Sequence, residues 1–513
     1  MSNYDLLIVG GGINGTGIAR DAAGRGLRVA LVEQGDLAEA TSSRSTKLIH
    51  GGLRYLEYYQ FRLVREALHE REVLLRLAPH IIWPVRFVLP HSPQVRPAWL
   101  IRLGLWLYDH LGGRMSLPRS APVDLTRGRF GAGMAAGLKP DYRRGFLYSD
   151  CWVDDSRLVI LNAIDAAERG AVILPRTRLV SAERQGADWV AALVSTSNSA
   201  GSTITAKAIV NAAGPWVQPV IAATGLDSAQ RIRLVKGSHI IVKKFWTGDH
   251  NYILQNHDRR IVFANGFLDG LSIIGTTDVN YAGDPAEVAI SEAEIDYLLA
   301  AVNGYFQTPL TRDQVLGSYA GVRPLHADDE VSASAASRDY SFETLDCEGE
   351  APLLSIFGGK ITTYRRLAEA ALERLRPYFR HLGGEWTARV PLPGGDFAEL
   401  GFDGLVERLG QEFPWLPLSV VRHYARLYGT RTRQLLDGAE GMADLGCHFG
   451  GDFYEREATY LVKHEWATTP EDILLRRTKF FYLLSESEQQ QFRRWFANHV
   501  VDTVPLCKIA KMP

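Results

Sequence analysis

Residues 5–35, DLLIVGGGINGTGIARDAAGRGLRVALVEQG, constrain the fold of this chain more than any other stretch. Residues 6–9 are a short apolar run of the kind that makes a buried parallel strand. They lead straight into Gly10-Gly11-Gly12-Ile13-Asn14-Gly15, and a second apolar run, residues 29–32, ends at Glu33. The order is strand, glycine turn, helix, strand, acid. Gly10 lets the chain turn off the strand, Gly12 lets backbone approach a pyrophosphate, and Gly15 lets a helix expected over about residues 15–23 pack close to the sheet. The helix N-terminus offers unpaired N–H groups and the positive end of its dipole to that anion. Glu33 stands where a carboxylate accepts the two ribose hydroxyls of an adenosine, and its charge disfavours a 2′-phosphate. FAD or NAD is expected rather than NADP.

At 513 residues, with 46% hydrophobic and 22% charged side chains, the chain has room for two or three domains of an ordinary globular enzyme. Its formal net charge of −1 gives no bulk pull toward nucleic acid, so no nucleic-acid partner is expected. Cys151, Cys347, Cys447 and Cys507 are dispersed and form no CxxC pair. That spacing argues against a disulfide framework, an iron–sulfur cluster or another metal centre and fits a reducing compartment. The N-terminus enters a strand without the features of a secretory signal, and no uncharged apolar run reaches the length of a membrane span. A soluble or peripheral protein is expected.

Residues 40–55, ATSSRSTKLIHGGLRY, pack Thr41, Ser42, Ser45, Lys47, Gly51 and Gly52 into one loop and turn. This composition suits a phosphate or a polar ring. A solvated loop with a helix cap at Ser42 or Ser43 is the alternative, and it leaves Gly51-Gly52 followed at once by Arg54-Tyr55 unexplained. Residues 61–77 read as an amphipathic helix. Residues 97–111, PAWLIRLGLWLYDHL, carry Trp99, Trp106 and Tyr108 among Arg96, Arg102, Arg114 and Arg119. Such a stretch reads either as an interfacial membrane helix or as a core helix, and its small polar face favours the core. Residues 208–217 form a strand whose small-residue ending, Ala213-Gly214, is of the kind found near the flavin side of an FAD. Short alternating runs over residues 232–278 predict an antiparallel sheet inserted in the fold. Residues 353–356 form another strand, opening through Gly358-Gly359-Lys360-Ile361-Thr362 into a helix that ends near Leu375. Leu354 and Ile361 occupy positions that a nucleoside-triphosphate loop reserves for glycine and for serine or threonine, so that loop is excluded. A helix N-terminus aimed at a flavin ring would still stabilise the charge of the reduced form. Residues 391–395, PLPGG, read as a linker to a C-terminal helical domain without a nucleotide signature.

Two signatures then carry a resemblance: residues 9–12 through Gly15, Gly17, Ala19, Asp21 and Arg25-Gly26, and Gly358-Gly359-Lys360 through Tyr364-Arg365 and Ala368. With KLIHGGLRYLE, YSDCWVDDSRL, KGSHI, IIGTTD and GVRPL, the chain resembles, over nearly its whole length, the FAD-dependent glycerol-3-phosphate dehydrogenases, respiratory enzymes associated with membranes. The resemblance implies an α/β FAD-binding fold of the glutathione-reductase and D-amino-acid-oxidase kind, with an inserted antiparallel substrate-domain sheet and a C-terminal α-helical domain. The FAD-binding domain is expected at 1–90, 150–222 and 335–388, the substrate domain at 91–149 and 223–334, and the helical domain at 389–513. It further implies oxidation of sn-glycerol 3-phosphate to dihydroxyacetone phosphate, with electrons passed to ubiquinone. The protein is expected at the inner face of the cytoplasmic membrane as a peripheral enzyme, and a homodimer is left open.

In the site that follows from the resemblance, His239, Arg323 and Lys360 are catalytic, with His50 the rival base, while Arg54, Tyr55 and Arg338 bind the substrate. Gly10, Gly12, Ile13, Asn14, Gly15, Glu33, Thr41, Ser42, Ser45, Lys47, Gly51, Gly52, Ala213, Gly214, Gly359, Lys360 and Thr362 hold FAD. An oxygen-reducing oxidase of the same fold and a non-catalytic FAD-binding protein remain as rival readings.

Overall fold

The computed structural model describes residues 2–92, 96–113, 115–127, 133–256, 258, 260–326, 339–346 and 349–500. Arg114, Arg338, Cys347 and Cys507 lie outside the described residues. Strand Ser2–Val9 pairs in parallel with Val29–Val32 on one side and with Gly201–Asn211 on the other. Val172–Leu174 and Leu353–Gly358 extend the parallel core, and Tyr340–Leu345 closes it as an antiparallel edge. Alternate residues point to opposite faces of the pleat. Leu6, Ile8, Val29 and Leu31 therefore enter one core, and Leu7, Val9, Ala30 and Val32 enter another. A sheet covered on both faces needs apolar residues at every position, which is why these strands read as continuous apolar runs. On the first face helix Ile13–Gly24 packs against helices Asp155–Glu168 and Tyr364–Leu375.

The second sheet is built mainly of antiparallel strands around Ile232–Lys243, which pairs with Val315–His326 and Leu271–Gly275. Strand Ile82–His91 belongs to this sheet too, pairing with Arg144–Val153 along its whole length and with Asn251–Gln255. Its residues to 90 were expected in the nucleotide-binding part. They pair across the inserted sheet because residues 82–91 and 144–153 form one long ladder, with apolar residues of both strands feeding the cores beneath it.

Residues 397–500 gather a separate apolar core in which Phe449, Phe453 and Phe492 pack ring to ring. The expected linker is a packed joint: the Leu392 N–H donates to the Leu77 carbonyl at 2.9 Å. Beside it lies His80, fully buried, with neither ring nitrogen hydrogen-bonded among the described residues. Burial, aided by the Arg157 and Arg426 cations, pushes its pKa down to about 3. A histidine neutral when folded takes up its proton only when the chain unfolds, so its contribution is complete above about pH 6.5 and is lost as pH falls toward 3. Between pH 6.5 and 5 this amounts to roughly 2 kcal/mol. In His80→Leu, which loses no hydrogen bond, urea melts at pH 7 and pH 5 should differ by about that much less than in the parent. Equal pH dependence in the two proteins would show that His80 is not held neutral.

Candidate functional site

A cavity of about 2060 Å³ runs from the carboxyl ends of the first sheet's strands into the face of the second. Pockets for drug-sized ligands are typically a few hundred to about 1,000 Å³, so this one has room for a dinucleotide and a small substrate together. At one end Gly10, Gly12, Ile13 and Asn14 form the wall, joined by Glu33 and, from the hydroxyl-rich loop, Thr41, Ser42 and Ser45. Facing them are Ala213, Gly214, Gly359, Lys360 and Thr362, with Gly52 nearby. Glu33 is fixed by the Gly11 and Gly35 N–H groups, at 2.6 and 2.8 Å. The Ser42 hydroxyl accepts from the first helical N–H, Ile13, at 3.0 Å.

Three residues expected at the cofactor are turned away from this wall. Lys47 is buried in an ion pair with Asp155 at 2.7 Å and also donates to the Ser43 carbonyl. Gly15 sits inside its own turn, where an added Cβ would stand 1.9 Å from the Gly10 oxygen. Gly51 lies beneath Leu68 and Tyr108, its N–H donating to the Tyr108 hydroxyl at 2.8 Å.

The residues that remain on the wall fit FAD. A glycine turn opening a helix would suit the pyrophosphate, Glu33 would suit the ribose, and a Cβ on Gly214 would enter open space, leaving backbone accessible to a flat ring. Asn14 keeps a buried Oδ1 without a hydrogen bond among the described residues, an acceptor at the wall where a ring N–H or ribityl hydroxyl can reach it.

At the far end His239 and Arg323 come from neighbouring strands. The register sets His239 opposite Tyr319 and Val235 opposite Arg323, so the His239 and Arg323 side chains stand on one face. Two glycines make room for them: a Cβ on Gly275 would lie 2.1 Å from the His239 ring, and one on Gly237 would lie 2.5 Å from the Arg323 guanidinium. His239 stacks on Tyr319 with centroids 4.7 Å apart, and its Nε2 is 3.1 Å from the Thr46 hydroxyl. Its Nδ1 is buried and has no hydrogen bond among the described residues. Burial pushes the His239 pKa down to about 3, and the Lys47 and Arg323 cations act in the same direction. Burial and the two cations thus hold the ring neutral.

Arg54 reaches the same end from the short 3₁₀ turn Leu53–Tyr58, which follows Gly52 in the left-handed region at φ 77°. Arg54 and Arg323 converge on one carboxylate, Asp278, at 3.4 and 2.9 Å. Lys360 lies over the Tyr55 ring with Nζ 3.6 Å from its centroid. His50 is also on the wall, and its backbone meets the Thr362 hydroxyl. Asp278, Thr46 and Tyr319 escaped the reading of the sequence. Asp278 ends the IIGTTD run and Thr46 sits in the hydroxyl loop, so both were signalled only as parts of motifs. Tyr319 had no signal beyond its strand.

A parallel sheet with a glycine turn, a ribose acid and a long cavity ending at an imidazole among arginines defines a flavoprotein oxidoreductase. The chain matches the family described as FAD dependent oxidoreductase over residues 5–365 and the C-terminal domain of alpha-glycerophosphate oxidase over residues 386–495. It is 56% identical over 495 residues to D-erythritol 1-phosphate dehydrogenase of Brucella abortus, covering 96% of this chain and 98% of that protein. To glycerol-3-phosphate dehydrogenase of Pseudomonas aeruginosa it is 56% identical over 487 residues, covering 95% and 93%. The crystal structure of glycerol-3-phosphate dehydrogenase from Bacillus halodurans, complexed with FAD, superposes with a TM-score of 0.74 at 27% identity, covering 97% of this chain and 94% of that one. The chain belongs to the FAD-dependent oxidoreductases, in the glycerol-3-phosphate dehydrogenase family. Its cofactor is FAD.

Proposed function

We propose that the protein oxidises the C2 hydroxyl of sn-glycerol 3-phosphate to the ketone of dihydroxyacetone phosphate and passes the electrons on to ubiquinone. The observation that carries this reading is the neutral, buried His239, with its unbonded Nδ1, beside Arg54 and Arg323 at the end of the FAD cavity. Bound FAD supplies the two-electron acceptor for the C2 hydride. Arg54 and Arg323 bind the phosphate dianion, for which guanidinium forks are well shaped. His239 takes the hydroxyl proton at Nδ1, and the phosphate held nearby stabilises the imidazolium that forms. Lys360 stabilises negative charge on the developing carbonyl oxygen. Hydroxyl protons and phosphate are thus handled by different side chains, so loss of either function has its own kinetic signature.

The Brucella relative favours a second substrate, since D-erythritol 1-phosphate is also a monophosphate of a polyol with a secondary hydroxyl. Anaerobic titration of the holoenzyme with each compound, read as bleaching of the oxidised flavin, separates the two. Glycerol 3-phosphate is expected to bleach it at the lower concentration. In Arg54→Ala that concentration should rise on the order of 10- to 100-fold, the loss of one charge-assisted hydrogen-bonded contact. If neither compound bleaches the flavin, the reading is wrong. Ubiquinone lies in the bilayer, and among the described residues no helix is long and apolar enough to cross it. The proposal therefore includes peripheral attachment at the inner face of the cytoplasmic membrane, supported by exposed apolar residues at the cavity mouth.

A further inference from the structure

The C-terminal helical domain carries no nucleotide motif, yet it grips the loop that carries Glu33. That loop, residues 33–36, has two sides. Glu33, Gln34 and Gly35 line the cavity, while Asp36 points away from it and is buried. Asp36 receives Arg477 through both carboxylate oxygens, one of them at 2.8 Å, and Arg476 at 2.6 Å. Both arginines lie in one π-helical turn, Asp472–Arg477, of the C-terminal domain. Turns of this kind are frequent at functional sites. Asp36 and Arg477 have fully buried side chains although 441 residues separate them.

A second strap acts on the same loop. Arg176 donates its backbone N–H to the Gly35 carbonyl at 2.8 Å, and its guanidinium meets both oxygens of Asp472 at 2.9 and 2.8 Å. Thr177, next in sequence, donates its N–H to the Glu33 carbonyl at 2.7 Å. The backbone of the ribose loop is thus tied to the π turn by Asp36 directly and by Arg176 as a bridge. The same segment reaches the hydroxyl-rich loop. The carbonyl of Arg476 accepts from Ser156, and the neighbouring Asp155 holds Ser45 and Lys47.

We infer that the π turn Asp472–Arg477 is a clasp for FAD, and that Asp36, Arg477 and Arg176 are positioning residues that keep Glu33 aimed at the ribose. The inference rests on the FAD site and is independent of which polyol phosphate is oxidised. Two parts of a chain that share a loop with a ligand are linked reciprocally: the clasp tightens the binding of FAD, and FAD stabilises the clasp. A change in affinity of this kind is felt mainly in the rate of release.

The test begins with FAD release from the holoenzyme after dilution, followed by the rise of free flavin fluorescence. Asp36→Asn, which keeps the shape but not the charge, and Arg477→Lys, which keeps the charge but not the fork, should each release FAD 10- to 100-fold faster. The substrate concentration that half-saturates the still-loaded enzyme should stay within threefold of the parent. Arg431→Gln breaks a different contact between the domains, the pair with Glu168, together with a bond to the Tyr460 hydroxyl, and should leave release unchanged. Hydrogen exchange supplies a readout that needs no variant: amides of residues 472–478 should exchange at least tenfold faster in the flavin-stripped parent than in the holoenzyme. The inference is overturned by FAD release within twofold of the parent in folded Asp36→Asn, by equal acceleration in Arg431→Gln, or by exchange at 472–478 that does not respond to FAD. Should both clasp variants fail to fold, the exchange comparison on the parent decides alone.

Discussion

A His239→Gln enzyme is expected to retain its FAD while glycerol 3-phosphate reduces that flavin about 10² to 10⁴ times more slowly, the range that a positioned general base contributes. The ring stands on the second sheet and touches Thr46 and Tyr319. It takes no part in the contacts of the glycine turn or of Glu33, so cofactor retention should not depend on it. A pKa near 3 in the free protein looks low for a base, but it reports the cost of a buried imidazolium between Lys47 and Arg323. A bound phosphate dianion offsets those cations, raising the proton affinity of the ring at the moment the substrate arrives. His50→Gln is the control, because His50 meets Thr362 through its backbone. Rapid mixing under anaerobic conditions measures both. A His239→Gln rate within tenfold of the parent, with His50→Gln slow, would transfer the role to His50.

The nucleotide half of the fold was legible because its determinants are local. A strand, a glycine turn and an acid within three dozen residues specify a binding edge without help from the rest of the chain, and the parallel pairing of Ser2–Val9 with Val29–Val32 is the observed result. The inserted sheet was legible in kind but not in extent. Strand Ile82–His91 meets its partner some sixty residues later, and nothing local tells which sheet an apolar run will join. Charge pairing was the least legible. Lys47 looked like a ligand of the cofactor, whereas Asp155, which neutralises it, lies 108 residues on. Arg54 was expected at the substrate and Arg323 among the catalytic groups, but the acid on which the fold brings both together, Asp278, was not foreseen. Helix Ala98–Leu111 shows the same limit in reverse. Its small polar face alone favoured a core helix and the resemblance to membrane-associated enzymes an interfacial one, and within it only Ile101, Leu105, Tyr108 and Asp109 are buried.

The outer face of that helix carries the second large effect: Trp99→Glu combined with Trp106→Glu should release the protein from liposomes of anionic lipid. Trp99, Leu103 and Trp106 are 68%, 46% and 55% exposed, and Trp99 and Leu103 also line the cavity mouth. Tyr59 and Phe61 continue the exposed apolar surface beside them. Of the expected rim cations, Arg102 and Arg119 are exposed, while Arg96 is held by Glu57. Half-immersing an indole in the interface stabilises attachment by about 2.5 kcal/mol, from an apolar area of the order of 100 Å² at about 25 cal/mol per Å². Losing two indoles should by itself weaken partitioning by at least about 10³-fold, and two carboxylates placed against an anionic surface add to that loss. The fold should survive the change, because the inner face is anchored separately. Tyr108 donates to Asp150 at 2.7 Å and accepts the Gly51 N–H at 2.8 Å, and Ile101 and Leu105 complete the core contact. Flavin reduction by substrate should therefore stay near the parent rate while ubiquinone reduction in vesicles falls. Sedimentation with liposomes measures the first loss and a quinone-linked assay the second. A double variant that still sediments with vesicles would move the membrane face away from this helix, and one that loses FAD would make the two tryptophans structural despite their exposure.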